Sequence, residues 1–430
     1  MDKNKQIRET LIETRKRRKT QTLKVYELKV NIHSTSKEDF KRFNNMFVQT
    51  KWIQNDMIAS NDLFHYDYKE HRAIKTYDKN NNIVERKIDL NTGIHQVIID
   101  KVKQDILNLH KAKVKGLKVG VLKFRKNCNC IPLRTGQLHI VSSRSVSIPG
   151  FRNLKVYGLE QFINIPGFEI ADARIIRKAS GIYLKVSVCV PKNSTIRQNT
   201  GKTVGLDFGI KNNITTSDGE KFNCSVQESE YLKFLQRKLA KKQKNSKRYY
   251  KCLSQLQKEY EHLTNKKNDD SNKLIAYLLK NYDVIYFQDE NLAEWKKKKH
   301  SKKTGKKMNA FSFGKEIQHS YLGRVKLKLI ELQKNNKAYK ISKCLPTTQF
   351  CPNCGSLNKM TLDKRTYYCE CGYSFDRDIH AAKNVKMFGS TKRAEWLEQP
   401  SVESLTAIAL KDFFNATSQD VEAKKEDSNL

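Results

Sequence analysis

Four cysteines, Cys351, Cys354, Cys369 and Cys371, stand at the spacing of a metal clamp. Cys351-Pro-Asn-Cys354-Gly and Cys369-Glu-Cys371-Gly read as two knuckles of a zinc ribbon, whose thiolates would complete a tetrahedral set around Zn²⁺. Gly355 and Gly372 follow the second cysteine of each knuckle, where the backbone must turn to aim its amides at sulfur. The second knuckle departs from the usual pattern in being C-x-C rather than C-x-x-C. Three carboxylates form the other chemical set: Asp207 closing the apolar run 204–208, Glu290 just past the apolar run 284–287, and Asp378 seven residues after Cys371. Each is read as ending a strand, and strand ends converge in an open mixed sheet. Converging carboxylates supply the hard oxygen ligands that Mg²⁺ takes, leaving room for water and a phosphate. Two such ions about 4 Å apart can activate an attacking water and stabilise the leaving 3′ oxygen of an in-line displacement. The chemistry implied is phosphodiester hydrolysis.

The elements that must position these residues are legible in part. Residues 22–32 alternate as a strand, and Ser36 with Asp39 opens a helix carrying Phe40, Phe43 and Phe47 beside Met46, Ile53 and Met57. Residues 61–91, polar and rich in Asn, are expected to form a loop or weak helix pair. A second helix, marked by Ile94, Ile98, Val102, Ile106 and Leu109, follows and ends near Gly116. From 117 to 191 short β-branched runs return (119–124, 138–141, 155–157, 173–176, 182–190), so helices interrupt a β-domain. Residues 198–202 read as a linker, 203–210 as a buried strand, and 212–222 as a hairpin turning at Asp218-Gly219. Residues 228–280 form a Lys-rich helical region, expected to break near Asn245-Ser246 and again near Asn268-Asp269-Asp270; Lys238, Lys241, Lys242, Lys244, Lys247 and Arg248 crowd one part of it and would suit a phosphate backbone. Then come a strand at 284–287, a basic loop at 296–307, an amphipathic helix at 317–332 and a strand at 338–342. The chain shows no internal repeat.

Bulk composition narrows the class. Of 430 residues, 38% are hydrophobic and 30% charged, which points to several modest modules rather than one large core. Lys and Arg total 83 against 45 Asp and Glu, a formal charge of +38 that self-repels unless a polyanion neutralises it, so nucleic acid is the expected partner. No stretch approaches the roughly 20 apolar residues needed to span a bilayer, and residues 1–24 lack the apolar centre of a signal peptide. The other cysteines (Cys128, Cys130, Cys189, Cys224, Cys252, Cys344) are scattered, which fits a reducing compartment. No membrane partner and a cytoplasmic, nucleoid-associated location of prokaryotic type are expected.

Together these segments resemble the RuvC-type RNA-guided nucleases, comprising transposon-encoded TnpB and the compact type V CRISPR effectors. The resemblance spans about residues 165–390: Gly205-Leu-Asp207-Phe-Gly209-Ile210 matches the first motif, Val284-Ile-Tyr-Phe-Gln-Asp-Glu290-Asn-Leu the second, the four cysteines the ribbon, and Asp376-Arg-Asp378-Ile-His380-Ala-Ala-Lys-Asn384 the third. It implies that Asp207, Glu290 and Asp378 are the catalytic, Mg²⁺-binding triad, with Asp378 preferred to Asp376. Many relatives read Glu-Asp-Leu-Asn at the second motif, so an ungapped match would place Gln288 there, but only Glu290 or Asp289 can ligate as an anion. His380 stands where Asn is commoner and is expected to cap the following helix.

The fold class expected is a multidomain α+β chain. An N-terminal β-barrel-like wedge domain (1–34 and 117–200) carries an inserted helical recognition module (35–116). An RNase H-like, RuvC-type α/β domain (201–343 and 372–392) carries an inserted zinc ribbon that binds target nucleic acid (344–371). A tail (393–430) is expected to be partly disordered, with one helix over 405–414. By analogy the N-terminal half would read a short DNA motif beside the target and hold a guide–target duplex by its backbone. Trp52, Tyr66, Tyr68 and Tyr77, near Lys51, Lys69 and Arg72, are candidates for stacking on bases, against the commoner role of such aromatics as core. The function implied is an RNA-guided DNA endonuclease with guide RNA and target double-stranded DNA as partners and Mg²⁺ (two ions) and Zn²⁺ as cofactors. An unguided RNase H-like nuclease or recombinase, and an RNA-guided DNA-binding repressor that does not cut, are the alternatives. A monomer is expected, with a homodimer as the alternative.

Overall fold

The computed structural model describes residues 3–31, 34–60, 62–77, 80, 82–192, 200–296, 313–361 and 364–391. The basic loop from 297 on, the start of the linker 198–202 and the tail from 392, with the helix expected over 405–414, lie outside them. The chain is mixed α+β and divides into two compact units, Met1–Thr195 and Ile196–Leu430. Among the described residues no helix is long and apolar enough to cross a membrane.

The first unit opens with helix α1 (Lys3–Lys19) and strand β1 (Gln21–Val30). Helix α2 (Lys37–Ala59) starts where the Ser36 hydroxyl accepts the Asp39 amide at 3.0 Å, and it buries Phe43, Met46, Phe47, Ile53 and Met57, the stripe that the spacing implies. The polar stretch after it is not a loop or helix pair. It contains an antiparallel hairpin, β2 (Ala73–Tyr77) with β3 (Ile83–Lys87), because residues 73–77 and 83–87 alternate at period two and bury Ile74. Helix α3 (Thr92–Val114) follows, burying Ile94, Ile98 and Val102 but leaving Leu109 exposed.

The remaining strands are β4 (Cys130–Leu133), β5 (His139–Ser142), β6 (Ser145–Ile148), β7 (Phe151–Tyr157), β8 (Glu169–Lys178) and β9 (Gly181–Pro191), with a single-turn helix α4 (Glu160–Ile163) between β7 and β8. They join β1 in one antiparallel seven-stranded sheet ordered β4-β8-β9-β1-β7-β6-β5. The apolar run 119–124 forms no strand: no described neighbour pairs with it, and Val121 and Phe124 face solvent.

The second unit is built on a five-stranded mixed sheet. Its strands are β10 (Thr203–Phe208), β11 (Ile214–Thr216), β12 (Lys221–Phe222), β13 (Val284–Gln288) and β14 (Ala338–Ile341), ordered β12-β11-β10-β13-β14. β10 pairs parallel with β13, which pairs parallel with β14, while β11 and β12 run antiparallel. Between β12 and β13 lie helices α5 (Glu230–Ala240) and α6 (Lys247–Asn281). The expected break near Asn245 is real: Asn245 takes a left-handed φ of 67° and Ser246 caps α6. The break expected near Asn268 is absent, because Asp269 pairs with Lys273 one turn on, Ser271 is buried, and Asn268 accepts from Arg324. The single helix expected over 317–332 is instead two, α7 (Gly314–His319) and α8 (Leu322–Leu332), parted where Ser320 adopts extended backbone and bridges Ser225. A small hairpin, β15 (Thr366–Tyr368) with β16 (Ser374–Asp376), leads directly into helix α9 (Arg377–Ser390), which packs on β10.

Candidate active site

Asp207 is the penultimate residue of the central strand β10, flanked by Leu206 and Phe208, whose burial anchors the strand in the core. Glu290 lies two residues past β13, the parallel neighbour of β10, in a turn closed by the Glu290 amide on the Gln288 carbonyl at 2.9 Å. Asp378 is not at the end of a sheet strand: β16 belongs to the small hairpin, and Asp378 sits in the first turn of α9. The three come from well-separated stretches yet line one cavity of about 450 Å³.

The electrostatics of that cavity are those of crowded anions. Burial holds the Asp207 carboxyl well above the usual carboxylate range, the charges of Asp378 and Glu290 push it further, and Arg377 offsets them in part. Burial also raises Glu290, with Lys326 acting against it. Asp378 accepts from Asn212 Nδ2 at 3.1 Å and faces Arg377 Nη2 at 3.4 Å. Carboxylate oxygens are the donors a divalent cation takes, though among the described residues the four cysteines are the only set of three or more ligand residues whose donor atoms all lie within 4.8 Å of one another, and Arg377 and Lys343 share the cavity with the acids.

The neighbouring acids are engaged elsewhere. Burial acts to raise Asp289, but the ammonium groups of Lys326 and Lys340, at 2.7 and 2.8 Å, outweigh it and hold the carboxyl below its ordinary range. Asp376 pairs with Lys221 at 2.9 Å and accepts the amides of Asp378 and Ile379, so it is the cap of α9. His380 is therefore not the cap. It is fully buried inside α9, stacked on Tyr367, and burial lowers its pKa to about 4, so the ring is neutral. Gln288 is buried and donates to the Ser342 and Leu345 carbonyls. Sequence spacing gives no sign of Asn212, whose bond to Asp378 spans 166 positions.

The four cysteines come together. Cys351 Sγ lies 3.6 Å from Cys371 Sγ and Cys354 Sγ 3.5 Å from Cys369 Sγ, and all four sulfurs fall within 4.8 Å of one another. Tetrahedral ligation at a Zn–S distance of about 2.3 Å needs sulfurs about 3.8 Å apart. The shorter C-x-C knuckle closes because Gly372, at φ 86°, returns its amide to the Cys369 carbonyl; Gly355, at φ 73°, does the same for Cys351. Hydrogen bonding, chiefly from Ser356, lowers the Cys369 thiol toward the thiolate that a metal takes. This cluster could hold a metal ion. Of the aromatics considered for stacking in the first unit, Tyr66 is buried against His71 with its hydroxyl on Asp56, Tyr68 and Trp52 pack partly buried on the core, and Tyr77 is exposed.

Residues 185–308 match the family model described as "Probable transposase" (OrfB_IS605), and residues 331–385 match the model described as "Cas12f1-like, TNB domain". The first segment contains Asp207 and Glu290, and the second the four cysteines and Asp378. Both matches support a likeness to the TnpB/type V effector family. Among curated proteins, a "Putative RNA-guided DNA endonuclease" of Streptomyces pristinaespiralis is 25% identical over 235 residues, 52% of this chain and 54% of that protein. The chain thus spans about half the length of the curated relative it matches. A solved Cas12f1–sgRNA–target DNA complex aligns over 85% of this chain and 99% of the other, with 13% identity and a TM-score of 0.46.

Proposed function

We propose that this chain is a TnpB/type V-like RNA-guided DNA endonuclease whose second unit is an RNase H-like, RuvC-type nuclease with Asp207, Glu290 and Asp378 as its catalytic acids. One observation carries the reading: three carboxylates from separate stretches line one cavity, and Asp207 is destabilised as an anion first by burial and then by the other two. Burial of like charges with too little compensation costs stability unless a cation joins them, so the arrangement makes sense as a metal site. Bound there, Mg²⁺ would activate the attacking water and stabilise the leaving 3′ oxygen of a phosphodiester.

The chain's own residues supply the rest. Asp207 sits on the central strand, Asn212 orients Asp378 through its amide, and Lys326 and Lys340 engage Asp289, leaving Glu290 to present its carboxylate. Arg377 and Lys343, both lining the cavity, would meet the phosphates of an incoming strand. The cysteine cluster would hold Zn²⁺ and stiffen the ribbon. The seven-stranded first unit with its inserted helices and hairpin would check a short flanking DNA motif and grip the guide–target duplex, as the resemblance implies.

The test is purification with bound RNA, sequencing of that RNA, and cleavage of a matched plasmid in Mg²⁺ by wild type and Asp207→Ala. Loss of a direct ligand should exceed the roughly 10–100-fold typical of losing a ligand's supporting partner. Cleavage that survives Asp207→Ala would reject the triad, and cleavage unaffected by removing the RNA would reject guidance.

A further inference from the structure

The thiols and the carboxylates are joined by a run of hydrogen bonds and ring contacts through residues 342–350, a loop buried at Leu345, Thr347 and Phe350. This loop leaves β14, forms one wall of the carboxylate cavity with Lys343, Leu345 and Thr347, and ends at Cys351. Gln288, two positions before Glu290, grips it from β13: its Nε2 donates to the Ser342 and Leu345 carbonyls at 3.1 and 2.9 Å, and its Oε1 accepts from Thr347 Oγ1 at 3.0 Å. Asn384 grips it from α9, six residues after Asp378. Its Nδ2 donates to the Thr347 carbonyl at 2.7 Å and to that of Phe350, the residue before Cys351, at 2.8 Å. Thr347 therefore ties both acid-bearing elements to one loop.

The other knuckle is tied by His380, one turn before Asn384 on α9. Its ring lies on Tyr367 with centroids 3.9 Å apart and planes 14° off parallel. Tyr367, fully buried and two residues before Cys369, donates its hydroxyl to the Gln349 carbonyl of the same loop at 3.3 Å. His380 and Asn384 are both completely buried, and Asn384 Oδ1 has no hydrogen-bond partner among the described residues. Two polar side chains, one with an orphaned oxygen, are a poor choice for filling space. Their placement makes sense for what the Asn384 amide and the His380 ring grip.

We infer that Gln288, His380 and Asn384 are positioning residues through which zinc in the cysteine cluster sets the spacing of Glu290 and Asp378, so that a filled cluster raises the affinity of the carboxylate cavity for a divalent cation. The inference rests on the reading of the carboxylates as metal ligands. None of the three residues is itself a ligand in that reading. Metal at the thiols fixes the Cys351 end of the loop and the hairpin under His380, and the loop hands that order to β13 and α9.

Trp295 lines the cavity and supplies a readout other than cleavage. Tb³⁺, an oxygen-seeking lanthanide, is titrated into the full-length protein and its tryptophan-sensitised luminescence followed with zinc bound, stripped and restored, zinc content being measured in each sample. Stripping should weaken Tb³⁺ binding roughly ten-fold, and re-addition of zinc should restore it. Asn384→Ala should show the same loss with its zinc still bound. His380→Ala should show it too, whereas His380→Phe, which keeps a ring on Tyr367, should stay near wild type; the pair separates positioning from simple unfolding, which circular dichroism monitors. Equal Tb³⁺ affinity with and without zinc, or in both His380 variants, overturns the coupling and leaves the metal site standing. Luminescence that persists in Asp207→Asn or Trp295→Phe shows that Tb³⁺ is not in the cavity, and then the metal-ligand reading falls and this inference with it.

Discussion

Asp207 is the residue at which the cavity's electrostatics act most strongly. Its carboxyl is held far above the ordinary range by burial and by Asp378 and Glu290, so in the metal-free protein the folded state binds this proton more tightly than the unfolded chain does. The stability it confers is complete below the ordinary carboxylate range and is lost as pH rises through the raised value. Asp207→Asn, which mimics the protonated acid, should therefore stabilise the metal-free protein at neutral pH. A gain of about 1 kcal/mol would raise the Tm by about 2–4 °C in a unit of this size. The gain should shrink as pH is lowered toward 4, and saturating Mg²⁺ should reverse it by stabilising wild type alone. Thermal melts of both proteins across pH, with and without Mg²⁺, decide this; a variant less stable than wild type at neutral pH without metal would contradict the picture of crowded anions.

Helix α9 can carry Asp378 to β10 only because two glycines let it lie close. A Cβ on Gly205 would stand 2.1 Å from the Ala382 carbonyl oxygen and 2.5 Å from the Lys386 amide, and one on Gly389 would meet the Tyr286 ring at 2.2 Å. Backbone atoms cannot swing aside, so Gly205→Ala should push α9 off the sheet, cost roughly 1–3 kcal/mol as overpacking does, and lower cleavage with it. Gly323→Ala, in helix α8 with nothing within 4 Å of the new methyl, is the contrast: it should leave cleavage alone and stabilise by roughly 0.5–1 kcal/mol. Melts and cleavage rates of the two variants read the difference, and equal behaviour would show that the close approach is not what seats Asp378. Elements are legible in the sequence where periodicity and end signals agree, as at α2 with its Ser36 cap and at β10. They are hidden where composition speaks louder than period, as in the Asn-rich stretch that holds the β2–β3 hairpin, or where tertiary partners decide, as with Arg324 on Asn268 within α6 and Ser225 against Ser320 between α7 and α8. Helix α1 has almost no apolar face and so gives no signal. At the site, motif and charge point to Asp207, Glu290 and Asp378, but the lysines that engage Asp289 and the asparagine on Asp378 act across the fold and cannot be read from spacing.

At the scale of the whole chain the charge of +38 is unevenly spread. Residues 106–159 in the first unit and 231–258 in the second contain no Asp or Glu at all, while each holds ten or eleven Lys and Arg. In the second stretch Lys238, Lys241, Lys242 and Lys244 have no ion-pair partner among the described residues and cluster where α5 turns into α6, beside the exposed rings of Phe234 and Tyr250. Cations that no protein carboxylate neutralises leave phosphate as their counter-ion, and each phosphate they neutralise releases condensed cations from nucleic acid. Affinity for a short DNA duplex should therefore fall steeply and linearly in log–log form with salt. Replacing those four lysines by glutamine should flatten the slope by roughly 0.9 for each phosphate left without its lysine, up to about 3–4 in all, while weakening binding uniformly across sequences. Fluorescence anisotropy over a salt series measures the slope directly. A quadruple variant with the wild-type slope would mean that these four charges face solvent in the complex, and that the nucleic acid is held by the remaining basic surface.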